Sequence, residues 1–221
     1  MLSTDLHIHT SSSKDGESTV HQVLSAALAA GLHAIAITDH DTMDGYYIAR
    51  EIESDILLIP GVEVSTREGH LIALGVEEAP RPGFSILDTI AAVKNQGGVT
   101  ILPHPFHRYR HGAALKCREA FYEVDAVEVF NSRYVIPHAN HQALRLARKI
   151  GKPTVAGSDA HNARFVGYGM TRIDAEKNVS SILQAIREGR TVPEGRKTPV
   201  RVYTKQSLKN SWRKISRKVR K

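Results

Sequence analysis

Histidines and acids recur in this chain at a spacing of two. Asp5-Leu6-His7-Ile8-His9 stands near the start, and Asp159-Ala160-His161 far downstream. On an extended strand, residues i and i+2 face the same side, so His7 and His9, or Asp159 and His161, can address one ion. Further candidates are Asp15, His40 between Asp39 and Asp41, Glu63, His70, and His104 between Pro103 and Pro105. Imidazole and carboxylate donors without thiolate suit Mn²⁺, Fe²⁺ or Zn²⁺ and argue against a closed structural zinc site. The candidate ligands His7, His9, Asp15, His40, Glu63, His70, His104, Asp159 and His161 exceed what one ion uses, so two or three divalent ions are expected.

These residues sit at the ends of strand-like runs. Leu6–Ile8, His33–Thr38, Ile56–Ile59, Val62–Val64, Val99–Leu102, Ala126–Phe130 and Pro153–Ala156 are short, apolar and bounded by turn residues. His70–Leu74 follows Glu68-Gly69 and reads as the hairpin partner of Val62–Val64. Between the runs, apolar residues recur at helical spacing over Val20–Leu28 (capped by Ser18), Ile86–Lys94, His138–Ile150 and Ser181–Glu188. Such alternation predicts an α/β fold with a parallel sheet inside and helices outside, closed or nearly closed into one barrel. The carboxyl ends of the strands then open onto one face, where ligands distant in sequence meet.

The chain has 221 residues, with 41% hydrophobic and 24% charged, which suits one globular body. No apolar run approaches the roughly 20 residues that span a bilayer. The start lacks signal-peptide character and Cys117 stands alone, so a cytoplasmic setting is expected. The net charge of +7 is local: residues 205–221 carry eight basic and no acidic side chains, leaving 22 basic against 23 acidic elsewhere. The expected division is a body over 1–203 and a basic tail over 204–221. Leu208, Trp212, Ile215 and Val219 would form one apolar stripe if the tail is helical. The tail then either docks on the body or holds RNA or single-stranded DNA phosphates, an anionic membrane surface being a weaker third reading.

Five ordered motifs, Asp-Leu-His-Ile-His-Thr, Ala-Ile-Thr-Asp-His-Asp-Thr, Gly-Val-Glu-Val-Ser, Pro-His-Pro and Gly-Ser-Asp-Ala-His, resemble the PHP (polymerase and histidinol phosphatase) superfamily. The resemblance runs from residue 5 to 161 and onward to about 203. It implies a distorted (β/α)7 TIM-like barrel with a trinuclear centre that hydrolyses phosphate esters by a metal-activated hydroxide. It also implies one ion on His7, His9, Glu63 and Asp159, a second on Glu63, His70 and His104, and a third on Asp15, His40 and His161. Asp15 stands where several relatives place a histidine, which shifts the third site towards harder ions such as Mn²⁺.

Around this centre, Arg133 is expected to clamp phosphate beside Asn131, and the loop with His107 and Arg108 to hold the leaving group. The proton donor is His161 or a metal-bound water. Asp39 is expected to orient an imidazole and Asp41 to cap the following helix. Glu128, in mid-strand, reads as paired inside the barrel. The leading expectation is a phosphomonoesterase acting on a small, nucleotide-like substrate. The alternatives are a 5′-3′ exonuclease on RNA or single-stranded DNA, a histidinol phosphatase, and a non-catalytic docking module. An amidohydrolase ranks lower because its bridging lysine and motif order are missing.

Overall fold

Short apolar runs make buried strands here, and amphipathic segments return the chain over them. In the computed structural model, residues 1–107, 112–133 and 138–199 are described. The strands are β1 (Leu2–Ile8), β2 (Ala34–Ile37), β3 (Leu57–Ile59), β4 (Gly61–Ser65), β5 (His70–Leu74), β6 (Val99–Leu102), β7 (Ala126–Asn131), β8 (Thr154–Gly157), β9 (Gly169–Ile173) and β10 (Thr191–Gly195). The helices are α1 (Val20–Ala29), α2 (Asp44–Arg50), α3 (Ile86–Asn95), α4 (Ala120–Glu123), α5 (His138–Ile150) and α6 (Val179–Arg187).

Two five-stranded sheets form, ordered β10-β9-β1-β2-β3 and β4-β5-β6-β7-β8. They meet along two seams, each marked by a single parallel bridge, Ile8 to Ala160 and His40 to Glu63. The result is a ring of β1, β2, the β3–β4 run, β5, β6, β7 and β8, with the antiparallel pair β9 and β10, joined through α6, flanking the start of β1. This is the distorted barrel expected, with one correction: the ring is mixed rather than parallel. β5 runs antiparallel to β4 across a tight turn, the hairpin expected there, and the connection through α3 returns β6 to the direction of β4, so β5 is antiparallel to β6 as well.

One core cluster takes Leu6, Ala34, Ala36, Ile59, Ile72, Ile101, Ala126 and Val155 from around the ring, closed by Ile182 and Ile186 of α6. A second packs α1 against Ile35 and Ile37, and a third packs α3, α4 and α5 over the β4–β7 side. Helix α1 starts at a capping box in which Thr19 accepts from the Gln22 N–H, so Thr19, not Ser18, is the cap. The Ser18 hydroxyl instead accepts the Ala163 N–H. Helix α6 likewise starts at Val179, capped by Asn178, two residues before the expected Ser181. The helix expected after Asp41 is α2, while helix α4 and strands β9 and β10 were not expected. Among the described residues no helix is long and apolar enough to cross a membrane. The basic tail expected beyond residue 203, Arg108, and the stretch 134–137 lie outside the described residues.

Candidate metal centre

Strand ends deliver the chemistry. His7 lies in β1 and His9 just past it, His40 follows β2, Glu63 is central in β4, His70 opens β5, His104 follows β6, and Asp159 and His161 follow β8. Glu63 is the hub and is 1% exposed. Its Oε1 lies 2.9 Å from His70 Nδ1 and 3.1 Å from His104 Nε2. Its Oε2 lies 3.1 Å from His9 Nε2 and 3.3 Å from both His7 Nε2 and His40 Nδ1. Asp159 Oδ1 adds contacts at 3.9 Å to His7 Nε2 and 3.6 Å to His9 Nε2. On the outer side, Asp15 Oδ2 stands 2.8 Å from His161 Nε2 and 3.6 Å from His40 Nε2. All nine candidate ligands thus come together, in overlapping groups such as His9-Asp15-His40-His161, His7-His9-Glu63, His7-His104-Asp159 and His40-Glu63-His70.

The donor set fits divalent cations. Among the described residues, Nδ1 of His9 and of His104 are buried with no hydrogen-bond partner, and the contacts of His9 Nε2 and His40 Nδ1 with Glu63 are not aligned as hydrogen bonds. A buried polar atom left so costs free energy unless something binds it. Asp15, Glu63 and Asp159 bring three carboxylates together, a crowding of negative charge that cations relieve. The backbone is strained at the same place. Asp41, His104 and Asp159 are the non-glycine residues with positive φ among those described, at 60°, 31° and 51°, a cost of about 1–3 kcal/mol each that gathers at functional sites.

Electrostatics of the pocket show the coupling. Burial works to raise Glu63, but the imidazoles of His40, His70 and His7 outweigh it and hold its carboxyl well below the usual carboxylate range. Burial also opposes the charge on His40, yet Glu63 and Asp15 lift it to about 9. His7 is raised well above its usual value by Asp159, Glu128 and Glu63 against the cost of burial. Burial, with Arg133 and His9 beside it, pushes His161 down to about 3.

The supporting residues divide. Asp39 takes the N–H and hydroxyl of Thr10, both at 2.6 Å, so it acts on the neighbouring His9 through the backbone rather than through a ring. Asp41 is no helix cap; it accepts the N–H and hydroxyl of Ser65 at 2.7 and 2.9 Å and pins the end of β4. Arg133 Nη1 reaches Asp159 Oδ1 at 3.1 Å and also contacts the His161 ring. Asn131 Nδ2 donates to Asp159 Oδ2 at 3.1 Å. His107 is half-buried, its N–H donating to the His104 carbonyl one turn away. Two residues were not placed in the site by sequence reasoning. Asp5 accepts the N–H groups of Ser158 and Gly167 at 3.0 and 2.8 Å and so ties β1 to the chain after β8. Glu128 touches His7 directly, and the signal was a lone charge in an otherwise apolar strand, Ala-Val-Glu-Val-Phe.

Residues 5–104 match the PHP domain family, and residues 137–191 match the family described as PHP-associated. "Uncharacterized protein MJ1587" of Methanocaldococcus jannaschii is 33% identical over 155 residues, covering 65% of this chain and 90% of that protein. The chain belongs to the PHP family. Another relative, a "Probable phosphatase" of Serratia proteamaculans, is 29% identical over 201 residues, covering 76% of this chain and 82% of the relative. The "5'-3' exoribonuclease Rnm" of Salmonella typhimurium is 40% identical over 83 residues, but these are 34% of this chain and 28% of that one. Among solved structures, a two-domain protein of Bacteroides vulgatus, described as containing a predicted PHP-like metal-dependent phosphoesterase, superposes with a TM-score of 0.75. The identity is 22%, over 88% of this chain and 65% of that one. This PHP protein is therefore a metal-dependent phosphoesterase, with its donor cluster at the mouth of the PHP barrel.

Proposed function

We propose that this PHP protein hydrolyses a phosphomonoester of a small, nucleotide-like molecule with two or three bound divalent ions. The observation that carries the reading is Glu63, whose two oxygens face imidazoles from different strands, at 2.9 and 3.1 Å on one and 3.1 to 3.3 Å on the other. One carboxylate so placed suits a bridge between ions. His7, His9, Glu63 and Asp159 would hold one ion, Glu63, His70 and His104 a second, and Asp15, His40 and His161 a third, with Mn²⁺, Fe²⁺ or Zn²⁺ compatible with the donors. Bound ions would supply Lewis-acid polarisation of the ester and a water acidic enough to ionise near neutral pH.

The chain's own residues do the rest. Arg133, already beside Asp159, can turn its guanidinium to the phosphoryl oxygens as a bidentate clamp. Asn131 holds Asp159 in place while this happens. His161, pushed down to about 3, is neutral at pH 7, which supports its role as a ligand over that of a proton donor. His107 and Arg108 follow His104 in the chain, where a leaving group would emerge, and belong to the proposed substrate contacts. Asp39 supports the site by fixing Thr10.

The 5′-3′ exonuclease is the second reading, and the short match to the Salmonella exoribonuclease with the basic residues 204–221 favours it. The match to the Serratia phosphatase spans far more of both chains, and so the monoesterase comes first. A histidinol phosphatase ranks below both. The tail as a separate nucleic-acid-binding unit, and a cytoplasmic setting, remain parts of this proposal. The test is to incubate Mn²⁺-loaded protein with a nucleoside 3′,5′-bisphosphate and, separately, with an end-labelled single-stranded oligonucleotide. Inorganic phosphate from the bisphosphate with the oligonucleotide intact supports the monoesterase. Stepwise release of mononucleotides overturns it in favour of the exonuclease.

A further inference from the structure

Glu128 sits in the middle of β7 and is 1% exposed. Its Oε1 lies 2.9 Å from His7 Nδ1. Its Oε2 accepts the backbone N–H of His104 at 2.8 Å and Asn131 Nδ2 at 2.9 Å. The same Asn131 amide donates to Asp159 Oδ2 at 3.1 Å. Three candidate ligands from three strands are thereby tied to one carboxylate: the ring of His7, the strained backbone of His104, and, through Asn131, the carboxylate of Asp159.

We propose that Glu128 is a positioning residue of the metal centre, which selects the His7 tautomer that can bind an ion. The inference rests on the reading of the pocket as a metal centre. With Nδ1–H given to Glu128, the lone pair of His7 stays on Nε2, the nitrogen that faces Glu63 and Asp159. A carboxylate is the right partner because everything it meets is a donor, and it offers acceptor sites only. A glutamine of the same shape cannot serve. In one orientation its NH₂ meets the His104 and Asn131 donors. In the other it meets His7 Nδ1, which then accepts, moves the proton to Nε2 and blocks the ligating lone pair. The chain also makes room for this contact: a Cβ on Gly157 would lie 2.5 Å from Glu128 Oε1 and 2.5 Å from His7 Cβ.

Plain structural support is the competing account, and a control separates the two. Asp125 also holds a neighbouring strand, accepting the N–H and hydroxyl of Thr100 at 2.8 and 2.7 Å, without touching any candidate ligand. The full chain, Glu128→Gln and Asp125→Asn are compared by thermal unfolding, by Mn²⁺ affinity in competition with a fluorescent chelator, and by imidazole ¹⁵N–¹H spectra with Zn²⁺ bound. Glu128→Gln should lose about ten- to a hundredfold in Mn²⁺ affinity and shift the His7 ring signals. Asp125→Asn should lose stability with its affinity kept within about twofold. Should Glu128→Gln not fold, Asn131→Ser removes the amide that joins Glu128 to Asp159, together with the acceptor of the Arg133 N–H, and leaves the Glu128–His7 contact in place; it should lose about tenfold in affinity with the His7 signals kept. The proposal is overturned if the folded variant matches the wild type in affinity and His7 signals, or if Asp125→Asn loses as much affinity for the same loss of stability. A wild-type chain that binds neither Mn²⁺ nor Zn²⁺ overturns the metal-centre reading itself, and this inference with it.

Discussion

Glu63→Gln keeps the shape of the hub and removes its charge. Two imidazoles face one of its oxygens and three the other, all within 3.3 Å, so the amide nitrogen must replace an oxygen on a side where rings converge. That nitrogen cannot ligate an ion, and the remaining oxygen brings no full charge. Unit charges about 4 Å apart interact by about 4 kcal/mol at an effective dielectric near 20. Losing that at an ion held here means about a thousandfold weaker binding. The assay is Mn²⁺ stoichiometry after gel filtration, with affinity measured against a chelator of known strength and phosphate release followed in parallel. Thermal unfolding of the metal-free protein checks that the variant is folded. A folded Glu63→Gln that binds Mn²⁺ within about tenfold of wild type would refute the bridging role, and with it the reasoning that makes Glu63 the hub.

Other outcomes can be set beside this one. Gly157→Ala places a methyl 2.5 Å from both Glu128 Oε1 and His7 Cβ, and should cost about 1–3 kcal/mol in urea unfolding; an unchanged midpoint would show that β8 can move aside. Arg133→Ala should lower kcat/KM for a phosphomonoester about ten- to a hundredfold with Mn²⁺ affinity nearly unchanged, whereas equal losses in both would make Arg133 a prop for Asp159. Burial raises Asp5 from 3.8 to about 6 against the lowering effect of its N–H partners, so the folded chain keeps this proton to higher pH than the unfolded chain does. Its contribution is full below about pH 4 and is lost as pH rises through 6, which is worth about 3 kcal/mol. Metal-free wild type should therefore lose about that much relative to Asp5→Asn between pH 4 and 7, and a flat difference would place the Asp5 titration elsewhere. Chelation of metal-loaded protein should lower Tm by about 5–10 °C, the linkage expected for ions present at about a hundredfold their Kd; no shift would mean that the pocket binds no ion tightly.

Most of the centre was legible before any coordinates. The i, i+2 pairs His7/His9 and Asp159/His161, and the placement of single ligands at the ends of apolar runs, follow from strand geometry and need no tertiary knowledge. The three elements that escaped notice lack such a pattern. Helix α4 is a single turn, Ala120–Glu123, with no side-chain cap and only Ala120 and Phe121 buried, so it carries no apolar stripe to read. Strand β10 contains Pro193, and β9 pairs antiparallel with β1 and β10 at the margin of the ring, outside the repeating strand–helix rhythm.

Residue types and local spacing determined the ligand chemistry, the strand–helix alternation and the face on which ligands gather. Only the tertiary structure decided which atom meets which. Asp39 and Asp41 flank the same histidine, yet one clamps Thr10 and the other Ser65, because the residue between them turns at the seam between the sheets. Glu128 and His7 are 121 residues apart, and their 2.9 Å contact exists only because the ring brings β7 and β1 to either side of a strand that ends in glycine. Periodicity says which way a side chain points relative to its neighbours in the chain. Which donor waits for it across the barrel depends on register and closure, and these are set by the packing of the whole ring.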